Sequence, residues 1–120
     1  MKEIRAIIRP QRVPQLREAL RDIPNFPGLT MTKAEGFTAP ASIQKRSVKD
    51  ELTDFTPKVQ LSVLVDDDMV ETIRSTIIKV CTTGQFGDGL VWTVDVNTMH
   101  RIRNGESMLS PQSSTPQDPS

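Results

Sequence analysis

Lys58-Val59-Gln60-Leu61-Ser62-Val63-Leu64-Val65-Asp66-Asp67-Asp68 is the run from which the fold can be read. Val59, Leu61, Val63 and Val65 alternate with Gln60, Ser62 and Leu64, the two-residue period of a strand. The three aspartates then supply an N-cap and first-turn carboxylates that complement the dipole of a following helix. Met69, Ile73, Ile77 and Val80 recur at helical spacing, with Val70 and Cys81 alongside and Lys79 near the end that favours positive charge. Past this helix, Thr83-Gly84-Gln85-Phe86-Gly87-Asp88-Gly89 breaks the pattern, and Leu90, Trp92, Val94 and Val96 resume an alternation on one face of another strand.

Upstream, the same order of elements occurs. From Glu3 to Arg9 the residues Ile4, Ala6 and Ile8 share one side, with Ile7 among arginines on the other, and Pro10 ends the strand. Val13, Leu16, Leu20 and Ile23 fall at helical spacing, Pro14 suits a first helical turn, and Arg17, Glu18, Arg21 and Asp22 form the polar face. Pro24 and Pro27-Gly28 close that helix, and a strand over roughly Leu29 to Ala34 follows. From Gly36 to Thr56 periodicity disappears in a polar stretch that includes Lys45-Arg46-Ser47-Val48-Lys49-Asp50-Glu51. Loops longer than about 12–15 residues are uncommon in compact domains and are usually functional or disordered, so residues 36–57 are expected to form one long functional loop. Residues 107–120, with three prolines and five serines, are expected to be a disordered tail.

The order strand, helix, strand, long loop, strand, helix, strand is the α+β, ferredoxin-like βαββαβ arrangement, a four-stranded antiparallel sheet with two helices on one face. It occupies one domain, residues 1–106. The face without helices would carry either Ile7, Leu64 and their neighbours or the richer Val/Leu/Trp set, depending on register, and both are too apolar for comfortable solvation. A homo-oligomer is therefore expected.

Composition narrows the function. Fifteen basic and fifteen acidic residues leave no net charge to favour nucleic acid or a membrane surface, so any anion site must be local. One cysteine permits no internal disulfide. No stretch approaches the roughly 20 apolar residues of a membrane span, and a cytoplasmic protein is expected. Gly84, Gly87 and Gly89 allow positive φ and close backbone approach, and consecutive turn amides can form a concave nest for phosphate oxygens. Arg101 and Arg103 follow on a segment read as extended, where they point to opposite faces unless it twists to bring both to one anion. His100 has no ligand partners at metal spacing, and Cys81 and Trp92 read as packing residues. The basic run Lys45 to Lys49 lacks the interleaved aromatics of a base-stacking surface. No nucleophile and base pair is evident, Asp88 being the only candidate base beside the glycines. A non-enzymatic protein without a catalytic cofactor or metal is expected.

Several segments together resemble the PII signal-transduction proteins over most of residues 1–106. They are Lys2-Glu3-Ile4-Arg5-Ala6-Ile7-Ile8-Arg9-Pro10, Arg17-Glu18-Ala19-Leu20, Gly36-Phe37, Pro57-Lys58-Val59, the 83–89 glycine run and Arg101-Ile102-Arg103-Asn104-Gly105-Glu106. The resemblance implies a homotrimer with adenine nucleotides, ADP or AMP favoured and ATP possible, bound between subunits. Thr83, Gly84, Gly87, Asp88, Gly89 and Lys58 would serve the phosphates, and Arg101 and Arg103 would arrive from a neighbouring subunit. Ile7, Thr30 and Leu64 would flank the adenine, with Gly36, Phe37 and Thr38 passing beside the nucleotide. The long loop would correspond to the family's T-loop, which docks onto a membrane transporter or an enzyme.

The sequence also departs from the family pattern. Leu90 replaces the usual lysine, removing a charge-assisted contact worth about 1.5–3 kcal/mol and weakening triphosphate more than mono- or diphosphate. Around Thr38-Ala39-Pro40 there is no counterpart of the glutamine that holds magnesium and 2-oxoglutarate, and the chain has no tyrosine to be uridylylated. The resemblance therefore points to a divergent PII-like regulator. The bicarbonate and carboxysome branch, with bicarbonate itself as a possible second ligand, is the expectation. A regulator linked to heavy-metal efflux or nitrogen metabolism, or a weak nucleotide hydrolase, is the alternative.

Overall fold

Among the described residues, four strands and two helices form the fold. The computed structural model describes residues 1–37, 55–85 and 87–108. β1 (Lys2–Ile8) leads through a 3-10 turn (Pro10–Arg12) into α1 (Val13–Arg21), followed by β2 (Thr30–Phe37) and β3 (Phe55–Val65). A second 3-10 turn (Asp67–Met69) opens α2 (Val70–Cys81), and β4 (Gly89–Asp95) completes the sheet. The strand order is β2-β3-β1-β4, and every neighbouring pair is antiparallel. This is the ferredoxin-like arrangement that the alternation of periods predicts.

One sheet face is buried by the helices. Ile4, Ala6 and Ile8 of β1 and Leu61, Val63 and Val65 of β3 are each no more than 2% exposed. Leu16 and Leu20 of α1 and Ile73, Ile77 and Cys81 of α2 close over them. Pro14 lies in the first turn of α1, where its missing N–H costs nothing. The register places Glu3 opposite Leu64 and Val94, Arg5 opposite Ser62 and Trp92, and Ile7 opposite Gln60 and Leu90. Residues directly opposite one another share a face, so Ile7, Leu64, Leu90, Trp92 and Val94 all lie on the face without helices. Leu90, Trp92 and Val94 thus join Ile7 and Leu64 on the open face, while Leu61, Val63 and Val65 face the helices.

Three expectations about boundaries are corrected. The aspartate run does not cap α2: Met69 is the N-cap residue, with no side-chain capping bond, and the aspartates fall on the 3-10 turn and its flank. Asp67 instead pairs with the N-terminal ammonium at 2.8 Å. The strands flanking the long loop run further than periodicity suggests. Gly36 pairs with Thr56 and Phe37 with Phe55, with the two rings 5.4 Å apart. At this level β3 has run past the end of β1, so one edge carries no ladder and Pro57 is tolerated within a strand. Thr38, the basic run and the rest of 38–54 lie outside the described residues. At the C-terminal end, Ser107 bridges to His100 and the Met108 amide donates to the Met99 carbonyl at 2.8 Å, so these two residues belong to a hairpin. The remainder of the expected tail, 109–120, is outside the described residues.

Candidate anion-binding site

The β1 register, continued one step past Ile8, sets Arg9 between Lys58 and Asp88 at one end of the open sheet face. Side chains make this row real. Arg9 Nε donates to Asp88 Oδ1 at 3.2 Å, and Lys58 Nζ donates to the Gly87 carbonyl at 2.7 Å. Lys58 is only 8% exposed. Burial lowers its pKa, the Arg9 charge lowers it further, and Asp88 partly opposes both. A local excess of positive charge thus sits against a glycine turn in a protein with no net charge.

Backbone geometry explains the glycines. A Cβ at Gly89, φ +110°, would lie 1.7 Å from the Ile7 carbonyl oxygen, so β4 can approach β1 here only without a side chain. A Cβ at Gly87, φ +91°, would come within 3.2 Å of an Arg9 Nη atom and 3.6 Å of Lys58 Nζ. Gly36, across the sheet, lies against the Lys58 stem, its Cβ position 3.0 Å from Cγ. Gly36 and Lys58 are therefore brought together across the β2-β3 pair.

Asp88 organises the turn from inside. Its carboxylate accepts the Thr83 amide at 2.8 Å, the Gly84 amide at 2.9 Å and the Thr83 hydroxyl. These donors, led by Thr83 and joined by Arg9, hold its pKa far below the ordinary carboxylate range. Such a group is a poor proton acceptor near neutrality, which weakens its candidacy as a general base. Two of the amides expected to form an open phosphate nest are occupied by this internal anion, leaving Arg9 and Lys58 as the cations beside the turn.

The other candidates are distributed differently. Thr30 pairs with Ser62 at the sheet's edge, and Leu64 is six residues along β3 from Lys58, about 20 Å at the strand rise. Neither shares a cleft with the glycine turn of its own chain. Ile7 lies one row from Lys58 on the same face, whereas register puts Phe37 on the opposite face with Phe55. Arg101 and Arg103 are exposed on the hairpin beyond β4, and neither bonds to the glycine turn among the described residues. Their segment is not extended. Residues 102–104 form a turn closed by the Gly105 amide on the Arg101 carbonyl at 2.7 Å. Leu90 is 71% exposed on the open face. Phe86 and Thr38 lie outside the described residues.

The crevice between α2 and β4 beneath Asp88 and Leu90 holds about 140 Å³, against roughly 300–1,000 Å³ for sites that enclose small molecules. A larger hollow of about 600 Å³ opens beside Lys58, lined by Pro10, Lys33, Glu35 and Pro57. Arg9 and Arg12 are the residues that sequence reasoning missed. The signal for Arg9 was its place in the open-face period with Arg5 and Ile7, but its partners emerge only once three strands are in register. Arg12 donates through Nε and Nη2 to the Val80 carbonyl at 3.0 and 2.6 Å.

Comparison with known proteins agrees with this architecture. The family model described as Nitrogen regulatory protein P-II matches residues 1–106. The chain is 38% identical over 107 residues to Nitrogen regulatory protein P-II 1 of Escherichia coli (strain K12), covering 88% of this chain and 95% of that protein. Identity to Nitrogen regulatory protein P-II of Klebsiella oxytoca is also 38% over 107 residues, with the same coverage. It is 35% over 112 residues to the Nitrogen regulatory protein P-II of Bradyrhizobium diazoefficiens, covering 91% of this chain and 97% of that protein. With the ferredoxin-like sheet, the glycine turn and a family match over residues 1–106, this protein belongs to the nitrogen regulatory protein P-II family.

Proposed function

We propose that this PII-family regulator works as a homotrimer, binding an adenine nucleotide between subunits and transmitting its occupancy through the loop that joins β2 to β3. The observation that carries this reading is the row Asp88, Arg9 and Lys58: two cations, one of them largely buried, held against a turn whose glycines admit close approach. Phosphate oxygens accept charge-assisted hydrogen bonds from guanidinium and ammonium groups of this kind. The separation of Thr30 and Leu64 from the glycine turn supports a cleft built by two protomers, one supplying the phosphate wall and the other the adenine-flanking residues. Arg101 and Arg103, exposed on their hairpin, are available to a neighbour.

Coupling to the loop follows from Lys58 and Gly36. They touch each other at the loop's two ends, and Lys58 also reaches Gly87, so a ligand that competes for the Lys58 ammonium acts on the loop's base. Binding shifts loop populations only through such differential contact. ADP and AMP are the favoured ligands, because Leu90 offers no cation to a third phosphate. The target is a membrane transporter or an enzyme. Isothermal calorimetry with ADP, AMP and ATP, with and without bicarbonate, tests the reading. Measurable heat with ADP, lost in Lys58→Ala, is expected; no heat with any nucleotide would overturn it.

A second reading of the regulated process rests on the relatives. Their names place them in nitrogen regulation, whereas the bicarbonate association rests on the general character of the sequence and on no single motif. Calorimetry with ATP, magnesium and 2-oxoglutarate separates the two. Heat that depends on 2-oxoglutarate favours nitrogen sensing, and heat that depends on bicarbonate favours inorganic-carbon control.

A further inference from the structure

The glycine turn is gripped at both ends by one short segment, Arg9-Pro10-Gln11-Arg12, which carries β1 into α1 through a 3-10 turn. At the far end of the turn Arg9 holds Asp88. At the near end two nitrogens of the Arg12 guanidinium converge on a single acceptor, the Val80 carbonyl. That carbonyl lies in the last turn of α2, where backbone acceptors lack intrahelical partners and the helix dipole favours a cation. Two residues later the Thr82 amide closes the helix on the Ile78 carbonyl at 3.0 Å, and Thr83 opens the glycine turn. Val80 and Asp88 are thus each held by a guanidinium, the two arginines standing three positions apart on one short connection.

We propose that Arg12 is a positioning residue of the nucleotide site, bracing the α2 end of the 83–89 turn while Arg9 braces the other, so that the turn is ordered before ligand arrives. The inference rests on the nucleotide reading above and adds to it a residue that acts through the turn, its Nε and Nη2 being committed to Val80. Pre-ordering a binding element raises affinity by removing the entropy cost of fixing it on association. A brace of this kind should affect phosphate recognition and leave recognition of the nucleoside alone unchanged.

The test compares the full chain with Arg12→Ala and Arg12→Lys, first without nucleotide. Amide hydrogen exchange at Thr83 and Gly84, read by NMR, should be about tenfold faster in Arg12→Ala. Arg12→Lys, which keeps the charge but lacks the two-pronged fork, should fall between. Calorimetry should then show ADP binding about tenfold weaker in Arg12→Ala, with adenosine binding unchanged. Unaltered exchange at Thr83 and Gly84 in a folded Arg12→Ala protein would overturn the brace, as would equal weakening of ADP and adenosine. If Arg12→Ala does not fold, Arg12→Lys carries the same comparison, and unaltered exchange there overturns the brace. If the parent binds no ADP, the nucleotide reading falls, while the exchange comparison still decides whether Arg12 orders the turn.

Discussion

Gly89 and Gly84 occupy the same turn and have different reasons to be glycine. At Gly89 an added methyl would run into the Ile7 backbone, which no rotamer change can relieve, so β4 must move off β1. At Gly84, φ +81°, a Cβ meets nothing within 4 Å and the cost is conformational alone. Denaturant unfolding should therefore show Gly89→Ala losing on the order of 3 kcal/mol and Gly84→Ala about 1–2 kcal/mol. Asp88 makes a separate prediction about acid. Its folded-state pKa lies below the unfolded value of about 3.9, so its contribution is fully present above that value and is lost as pH falls towards the folded pKa. Acid titration of stability should steepen below about pH 4 in the parent and be shallower in Asp88→Asn. Equal slopes would show that the Thr83 and Gly84 bonds do not stabilise the carboxylate. At this scale the glycines and Asp88 were legible from the chain, since turn chemistry is local. Arg9 and Arg12 were not, because their partners lie 79 and 68 residues away.

Among the elements, the helices and the central strands match their periodicity because one face of each is removed from water. Leu16 is 2% exposed beneath α1, and Leu16→Ala should cost about 2–5 kcal/mol through lost burial and the cavity left behind. The β2-β3 pair continues beyond this core on cross-strand contacts. Phe37 and Phe55 are 50% and 56% exposed, yet stack at its end. Phe55→Ala should cost about 0.5–1 kcal/mol and accelerate amide exchange in residues 35–37. Similar costs for the two substitutions, measured by the same unfolding assay, would contradict this division between core and neck. Periodicity ended β2 at Ala34 and delayed β3 to Lys58 because Gly36 and Pro57 read as breakers. Ladder pairing overrides that local signal where β3 has a partner on one side only. The aspartate run misled in the opposite sense, since a tight 3-10 turn moves the start of α2 beyond it.

For the molecule as a whole, the open sheet face leaves apolar side chains uncovered among the described residues. Ile7, Leu64, Leu90, Trp92 and Val94 share it with the Glu3–Arg5 ion pair and the Ser62 hydroxyl, which donates to Glu3 at 2.6 Å. Charging its centre by Trp92→Glu should shift a parent trimer to monomer at micromolar concentration by sedimentation velocity, with helix content retained by circular dichroism. A parent that sediments as a monomer would remove the trimer reading. Among the described residues no helix is long and apolar enough to cross a membrane. The fold class follows from sequence alone, because hydrophobic period, proline position and glycine placement act over a few residues and leave one way to bury the alternating faces. So does membership of the family, through the ordered segments from Lys2 to Glu106. Tertiary structure alone decided which apolar sets share a face, that Asp88, Arg9 and Lys58 stand in one row, and that Arg12 holds the end of α2. Each of these depends on strand register or on a contact between distant segments, and a one-residue slip in pairing would change every such neighbour without altering the local pattern.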